Sequence, residues 1–169
     1  MILVQRTSWH NANIALKNMK KAGLLSAEEV SGVEDLDNLT EIIRTAGFHQ
    51  TKPKTLFDVC TYVVEQGGIA KLMKRNTKEL RKELMNIKGV GPETADTILL
   101  YALDKPVFII DEYTRRWVAK EDLTKEKDYS KLQSFFQENI ENEIKFYQRF
   151  HALIIICQRG REDSKMEIV

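Results

Sequence analysis

Residues 84–111 read LMNIKGVGPETADTILLYALDKPVFIID, and the order of parts in that stretch decides the fold. An apolar helix pattern runs into Gly89-Val90-Gly91, a second helix pattern follows, and the buried run Val107 to Ile110 leads to a solitary Asp111 that opens another helix. Gly89 and Gly91 can take a positive-φ turn that bulkier residues resist, leaving the amides of a short loop bare. Pro92 suits the first position of a helix, so the loop ends at a helix N-terminus, where free N–H groups and the dipole attract an anion. A nucleic-acid phosphate fits that description.

The flanks support two packed helices. Asn76 three positions before Glu79 has the form of a capping box, and Leu80, Leu84 and Ile87 give the first helix one apolar face. Ala95, Ile98, Leu99 and Ala102 recur at helical spacing in the second, and Ala95 is small enough for close approach. A Gly-Val-Gly tripeptide by itself closes many ordinary helix turns. Between two patterned helices and before Pro92-Glu93-Thr94-Ala95 it is far more specific.

This arrangement resembles the helix-hairpin-helix DNA glycosylase superfamily of endonuclease III. The resemblance rests on Ile87-Lys88-Gly89-Val90-Gly91-Pro92-Glu93-Thr94-Ala95 and on Asp111 in Ile109-Ile110-Asp111-Glu112-Tyr113, and it covers most of the chain. It implies an all-α, two-lobed fold, shortened at the N-terminus because family members have a few dozen residues before the segment matching Ile2 to Gln5. The lobes are expected over 1–105, containing the hairpin at about 76–103, and 106–169, beginning with the aspartate helix. Main-chain groups of Ile87, Lys88, Gly89, Val90 and Gly91 would hold DNA phosphate, and Asp111 would be the catalytic carboxylate. Gln5 would plug the gap left by an extruded nucleotide, and Phe48 would wedge the opposite strand. Bifunctional members carry a nucleophilic lysine where this chain has Glu93, so lyase chemistry is not expected. Glutamate there is similar to the 3-methyladenine DNA glycosylase branch, without an iron–sulfur cluster.

Each residue also has a plainer reading. Asp111 could simply N-cap the helix that begins at Glu112, and the two roles are compatible. Gln5 could be an ordinary polar loop residue and Phe48 a core aromatic. Glu93 could be a first-turn helix acid favoured by the dipole. Trp9 and Tyr113 could line a base pocket, although Trp9 lies on an apolar stripe with Ala12, Ala15, Leu16 and Met19 that points to the core. His151 reads as a satisfied, partly buried histidine.

Composition sets the remaining bounds. The 169 residues are 43% hydrophobic and 30% charged, enough for a real core and unlike a disordered or membrane chain. A net charge of +1 means that DNA affinity must come from local patches. Lys71, Lys74, Arg75, Lys78, Arg81, Lys82 and Lys88 are candidates, with Lys52 and Lys54 upstream and Arg115 and Arg116 after Asp111. Cys60 and Cys157 lie among apolar residues and read as buried free thiols. The family's cluster-bearing members have four cysteines near the C-terminus, and the matching stretch keeps only Cys157, so neither cluster nor metal is expected. No secretory leader or bilayer-spanning run is visible, which places the expected monomer in the cytoplasm with the nucleoid.

The expected activity is hydrolysis, by a monofunctional glycosylase, of the N-glycosidic bond of a damaged base in duplex DNA, an alkylated purine first. The alternatives are a non-catalytic helix-hairpin-helix DNA-binding module and an endonuclease III-like glycosylase with lyase activity. Asp111 separates the first alternative from an enzyme, since a pure binder has no use for a carboxylate that repels DNA.

Overall fold

A computed structural model describes residues 2–159; the charged tail after Arg161, expected from the sequence to fray, lies outside them. Among the described residues there are ten α-helices and no strand. The chain divides into two compact units, Met1–Ala95 and Asp96–Val169.

The first unit opens with a 3-10 turn, Ile2–Val4, followed by α1 (Trp9–Lys21), α2 (Ala27–Ser31) and α3 (Leu36–Ile42). Their starts are written into the side chains. The Ser8 hydroxyl accepts from the Asn11 amide at 3.2 Å, and Ser26 and Glu29 form a reciprocal capping box. The sequence points to Asn38 as the opening of α3, but Asp35 takes that place, its carboxylate accepting from the Asp37 amide at 2.9 Å. Ala15, Met19, Val30, Leu39, Ile43 and Ala46 form the core, with Leu56 and Phe57 packed against it. The stripe on α1 is narrower than the periodicity suggests. Ala12, Ala15 and Met19 are buried, whereas Trp9 and Leu16 are 37% and 49% exposed, because a helix covered by short neighbours buries one line of residues and leaves its flanks in solvent.

Beyond a second 3-10 turn, Arg44–Ala46, the unit continues with α4 (Lys52–Glu65), α5 (Ile69–Leu72) and α6 (Thr77–Asn86). Helix α4 begins at Lys52, and Pro53, lacking an N–H, fits its first turn. Asn76 caps α6 by accepting from the Lys78 and Glu79 amides, and Leu80 and Leu84 are fully buried. Helix α7 (Pro92–Ala102) follows the hairpin, and the division of the chain falls inside it, ten residues before the boundary expected at 105/106. The reason is chemical. Buried Asp96 accepts from the Tyr129 hydroxyl and the Gln133 amide, both at 2.8 Å, and Leu100 joins the core of the second unit.

The second unit adds α8 (Glu112–Lys120), α9 (Tyr129–Asn139) and α10 (Ile144–Arg159). Its core is aromatic: Phe108 stacks on Phe136 with ring centroids 4.5 Å apart and meets Tyr147 edge-on at 5.4 Å. The buried segment Val107 to Ile110 has no strand partner, so side chains of α9 take over the ladder. Gln137 accepts from the Phe108 amide at 3.0 Å, and Gln133 donates to the Phe108 carbonyl at 2.6 Å. That segment delivers Asp111 to the start of α8.

Candidate active site

The sequence-derived site residues fall into two groups, one in each unit. In the first, the hairpin turns at Gly89, whose φ of +92° is the left-handed conformation that favours glycine. A Cβ there would lie 2.2 Å from the Thr55 Oγ1, and that hydroxyl donates to the Lys88 carbonyl at 3.0 Å. Both the backbone and the packing therefore demand glycine. Gly91 differs from the sequence reading: it has no positive φ, and a Cβ on it would meet nothing within 4 Å. What it leaves is an open approach to the start of α7.

The hairpin amides are not equivalent either. The Val90 N–H is spent on the Ile87 carbonyl at 3.0 Å and its side chain is buried, so Val90 supports the turn rather than presenting a donor. The Ala95 amide closes the first turn of α7 onto the Gly91 carbonyl at 2.9 Å. Amides earlier in that turn have no preceding helical carbonyl, and Pro92 has no N–H. Lys88, Gly89 and Gly91 are exposed, as an anion-receiving loop requires.

Gln5 and Phe48 join this group. Both line a cavity of about 390 Å3 together with Arg6, Thr51, Lys52, Gly89, Gly91, Glu93 and Thr94. The Gln5 amide donates to the Thr94 hydroxyl at 2.6 Å, tying the N-terminal turn to α7. Phe48 is not a core aromatic: it is 50% exposed and sits at a φ of +53° after Gly47, itself at +74°. Two consecutive left-handed residues turn a large apolar ring outward, an arrangement that stores strain.

Lys52, expected on the surface as a DNA contact, is instead buried at 3% exposure. Its ammonium donates to the Ala46 carbonyl at 2.6 Å and the Leu3 carbonyl at 3.0 Å and lies 5.5 Å from the centre of the Phe48 ring. Burial lowers its pKa. Lys52 thus anchors the loops bearing Gln5 and Phe48. Other proposed cations are also committed, Arg75 to Glu83 at 2.5 Å, Lys54 to Asp58 at 3.2 Å and Arg116 to Glu112 at 2.9 Å. Lys78, Lys82 and Lys88 remain solvent-exposed on or beside α6.

In the second unit Asp111 is 7% exposed and does cap α8, its Oδ1 accepting from the Thr114 amide at 2.7 Å. Its Oδ2 faces the Nε2 of His151 at 3.3 Å, without the alignment of a hydrogen bond. His151 is buried at 2% exposure, deeper than the partial burial read from sequence, and its Nδ1 lies 3.0 Å from the Tyr101 hydroxyl. Burial raises the Asp111 pKa, but His151 and the Thr114 groups outweigh it, and the carboxyl titrates below its usual 3.8. A buried group is therefore kept anionic. Tyr113 is half-buried against the aromatic core, with the Arg116 guanidinium 5.8 Å from its ring centre.

Sequence reasoning missed Thr55 and gave Lys52 and His151 other places, the surface for one and partial burial for the other. No pattern around Thr55 marks it, since the hairpin it braces is 33 residues away. His151 carried a faint signal, an imidazole set between Phe150 and Ala152-Leu153, where a polar ring needs a buried partner. The thiols also depart from expectation: Cys60 is half-buried with a pKa pushed by burial to about 11, whereas Cys157 is exposed. Among the described residues no group of three His, Cys, Asp or Glu side chains could hold a metal, and no helix is long and apolar enough to cross a membrane.

Comparison with known proteins identifies the family. The chain is 40% identical over 158 residues to the Methanocaldococcus jannaschii protein named "Putative DNA repair glycosylase MJ1434", covering 91% of this chain and 71% of that one. It is 26% identical over 110 residues to an endonuclease III of Haemophilus influenzae, covering 65% of this chain and 49% of the relative. A crystal structure of H. pylori 3-methyladenine DNA glycosylase bound to 1,N6-ethenoadenine superposes with a TM-score of 0.80 at 28% identity, covering 99% of this chain and 83% of that one. The family pattern described as HhH-GPD superfamily base excision DNA repair protein matches residues 1–142, and the chain belongs to that superfamily.

Proposed function

We infer that the chain is a monofunctional DNA glycosylase that binds duplex DNA through the Gly89 hairpin and hydrolyses the N-glycosidic bond of a damaged base, an alkylated purine first. The observation that carries this reading is the buried Asp111 carboxylate, held ionised at the start of α8. Cleavage of an N-glycosidic bond builds positive charge on the sugar, and a fixed anion near C1′ stabilises it and orients or deprotonates the attacking water. An N3-alkylated adenine already carries positive charge and leaves as a neutral base, so a single carboxylate suffices. The hairpin and first-turn amides grip the backbone, while Gln5 and Phe48 fill the stack once the nucleotide is extruded.

Two features favour hydrolysis over lyase chemistry, and a third bears on the cluster. Glu93 stands where bifunctional members have an amine, and it lines the same cavity as the hairpin. The buried amine on that cavity, Lys52, donates to two carbonyls and holds loops together. Lone Cys157 supplies one thiol where a cluster needs several, so the enzyme is proposed to work without an iron–sulfur cluster. The cytoplasmic, nucleoid-associated monomer remains the setting proposed for it.

The test is release of abasic sites from a panel of single-lesion duplexes carrying alkylated adenine, mismatched thymine or oxidised bases. Alkylated adenine is expected to be processed fastest. Asp111→Asn is expected to reduce release by about 100-fold or more while duplex binding holds or tightens slightly. Wild-type excision rates in that variant would leave Asp111 as a cap alone. Binding without release from any duplex would favour the non-catalytic module.

A further inference from the structure

Asp111 has a second neighbour whose role goes beyond filling space. The carboxylate is mostly withdrawn from solvent, and the Thr114 amide takes only Oδ1. Oδ2 is left facing His151 Nε2 at 3.3 Å. His151 is itself sealed from solvent, and its other nitrogen meets the Tyr101 hydroxyl at 3.0 Å, which also lies 3.3 Å from the Gln148 carbonyl. This makes a linear array: Gln148 carbonyl, Tyr101 hydroxyl, His151 imidazole, Asp111 carboxylate.

The array constrains protons. When Tyr101 donates to Nδ1, the neutral imidazole carries its hydrogen on Nε2, the nitrogen 3.3 Å from the carboxylate. When Tyr101 donates to the Gln148 carbonyl, Nδ1 must hold a hydrogen, and Nε2 either carries a second one as imidazolium or turns a lone pair on an anion. The two favourable arrangements both keep a hydrogen on Nε2, so that its positive end lies on the side of Oδ2. The arrangement with the lone pair is repelled by ionised Asp111.

We propose that His151, registered by Tyr101, is a positioning residue that fixes the orientation and the charge state of the Asp111 carboxylate during base release. This rests on the reading of Asp111 as the catalytic carboxylate. The titratable groups facing Asp111 are His151 from α10 and Tyr101 from α7, and burial with the Asp111 charge raises the Tyr101 pKa, so the phenol stays protonated as a donor. Losing the imidazole leaves a buried carboxyl without its cationic or N–H partner, and protonation becomes easier. A protonated Asp111 cannot stabilise a cationic sugar.

The experiment uses His151→Phe, His151→Gln and Tyr101→Phe in the full chain. The Asp111 carboxyl carbon is titrated by 13C NMR in the free protein, assigned against Asp111→Asn, and base release is followed against pH. In His151→Phe the NMR midpoint is expected to rise, and the acid limb of the rate profile should move with it, so that the loss at the acidic end exceeds that at the alkaline end by about tenfold. His151→Gln keeps an N–H donor and should restore most of the wild-type profile; Tyr101→Phe should shift it less than His151→Phe. An unmoved midpoint, or a loss equal at every pH, would overturn the proposal. If His151→Phe fails to fold, Tyr101→Phe and His151→Gln carry the same test. If the wild type releases no base from any duplex, the enzymatic reading fails by itself, while the NMR midpoint still decides whether His151 sets the carboxylate's charge.

Discussion

The hairpin at Gly89 and the carboxylate at Asp111 handle charge in opposite ways. The hairpin is a surface device made from main chain: exposed amides, a left-handed glycine and a helix dipole, braced by a single hydroxyl from Thr55. The carboxylate is an interior device made from side chains, with Asp111, His151 and Thr114 all less than a tenth exposed. A phosphate brings its own charge and wants partial charges that cost little to keep in water. A developing sugar cation needs a full charge kept away from water, where each interaction counts for more. On the function proposed above, phosphate binding falls to the exposed hairpin and bond cleavage to a carboxylate drawn back from the surface.

The largest expected effect breaks the hairpin side of that comparison. Gly89→Val forces a β-branched residue into a φ of +92° and against Thr55, and should cost about 3 kcal/mol or more. Thermal unfolding should drop by about 6–12 °C, with weaker binding to every duplex regardless of sequence. Gly91→Ala is the control, since its Cβ has free space, and its stability should stay within about 0.5 kcal/mol of wild type. A loss of affinity confined to Gly91→Ala would locate DNA against that glycine itself, whereas equal instability of both variants would contradict the packing described for Gly89.

On the carboxylate side, the depressed Asp111 pKa stabilises the fold at pH values above the unfolded value of 3.8, and that contribution is lost as the pH falls through the folded value. Asp111→Asn should thus be less stable than wild type near neutrality, and the two melting curves should converge below that window. A constant gap across pH would mean that charge plays no part in holding Asp111.

A smaller effect joins the two chemistries. Glu93→Lys places an amine on the first turn of α7, where the positive helix end favours its neutral form, and weak borohydride trapping on an abasic duplex should appear. Efficient trapping by the wild type would instead overturn the monofunctional assignment. The smallest effect is spectroscopic: a thiol reagent should modify exposed Cys157 promptly and Cys60 only on unfolding, given its pKa of about 11. Equal rates would show the first unit to be more open than described.

The same contrast explains what could be read from sequence. The hairpin is local, so Asn76, Gly89, Pro92 and the helices around them are visible as pattern, and so is Asp111 as the start of α8. Gly89 and Gly91 look alike on paper because a sequence does not say which of two glycines turns left-handed. The supports are not local. Gln5 and Thr94 are 89 residues apart and Tyr101 and His151 are 50 apart, and nothing in either neighbourhood names the other. Lys52 misleads most, because a lysine in a turn is normally solvated; only the converging carbonyls of Leu3 and Ala46 make its burial tolerable. Trp9 and Leu16 failed for a reason of scale, since helical periodicity gives the direction of a buried face but not its width.

The extended run from Val107 to Ile110 carries a consequence for how the protein behaves in a crowded solution. Val-Phe-Ile-Ile is an uncharged, β-prone stretch of the kind that seeds intermolecular sheets when its backbone is left open. Here the ladder positions are already occupied by glutamine side chains, Gln137 on the Phe108 amide and Gln133 on its carbonyl. With the Phe108 N–H and C=O both taken, a neighbouring chain finds no free ladder position at that residue, so a loss of solubility is the expected outcome of Gln137→Ala, measured by its concentration limit against wild type.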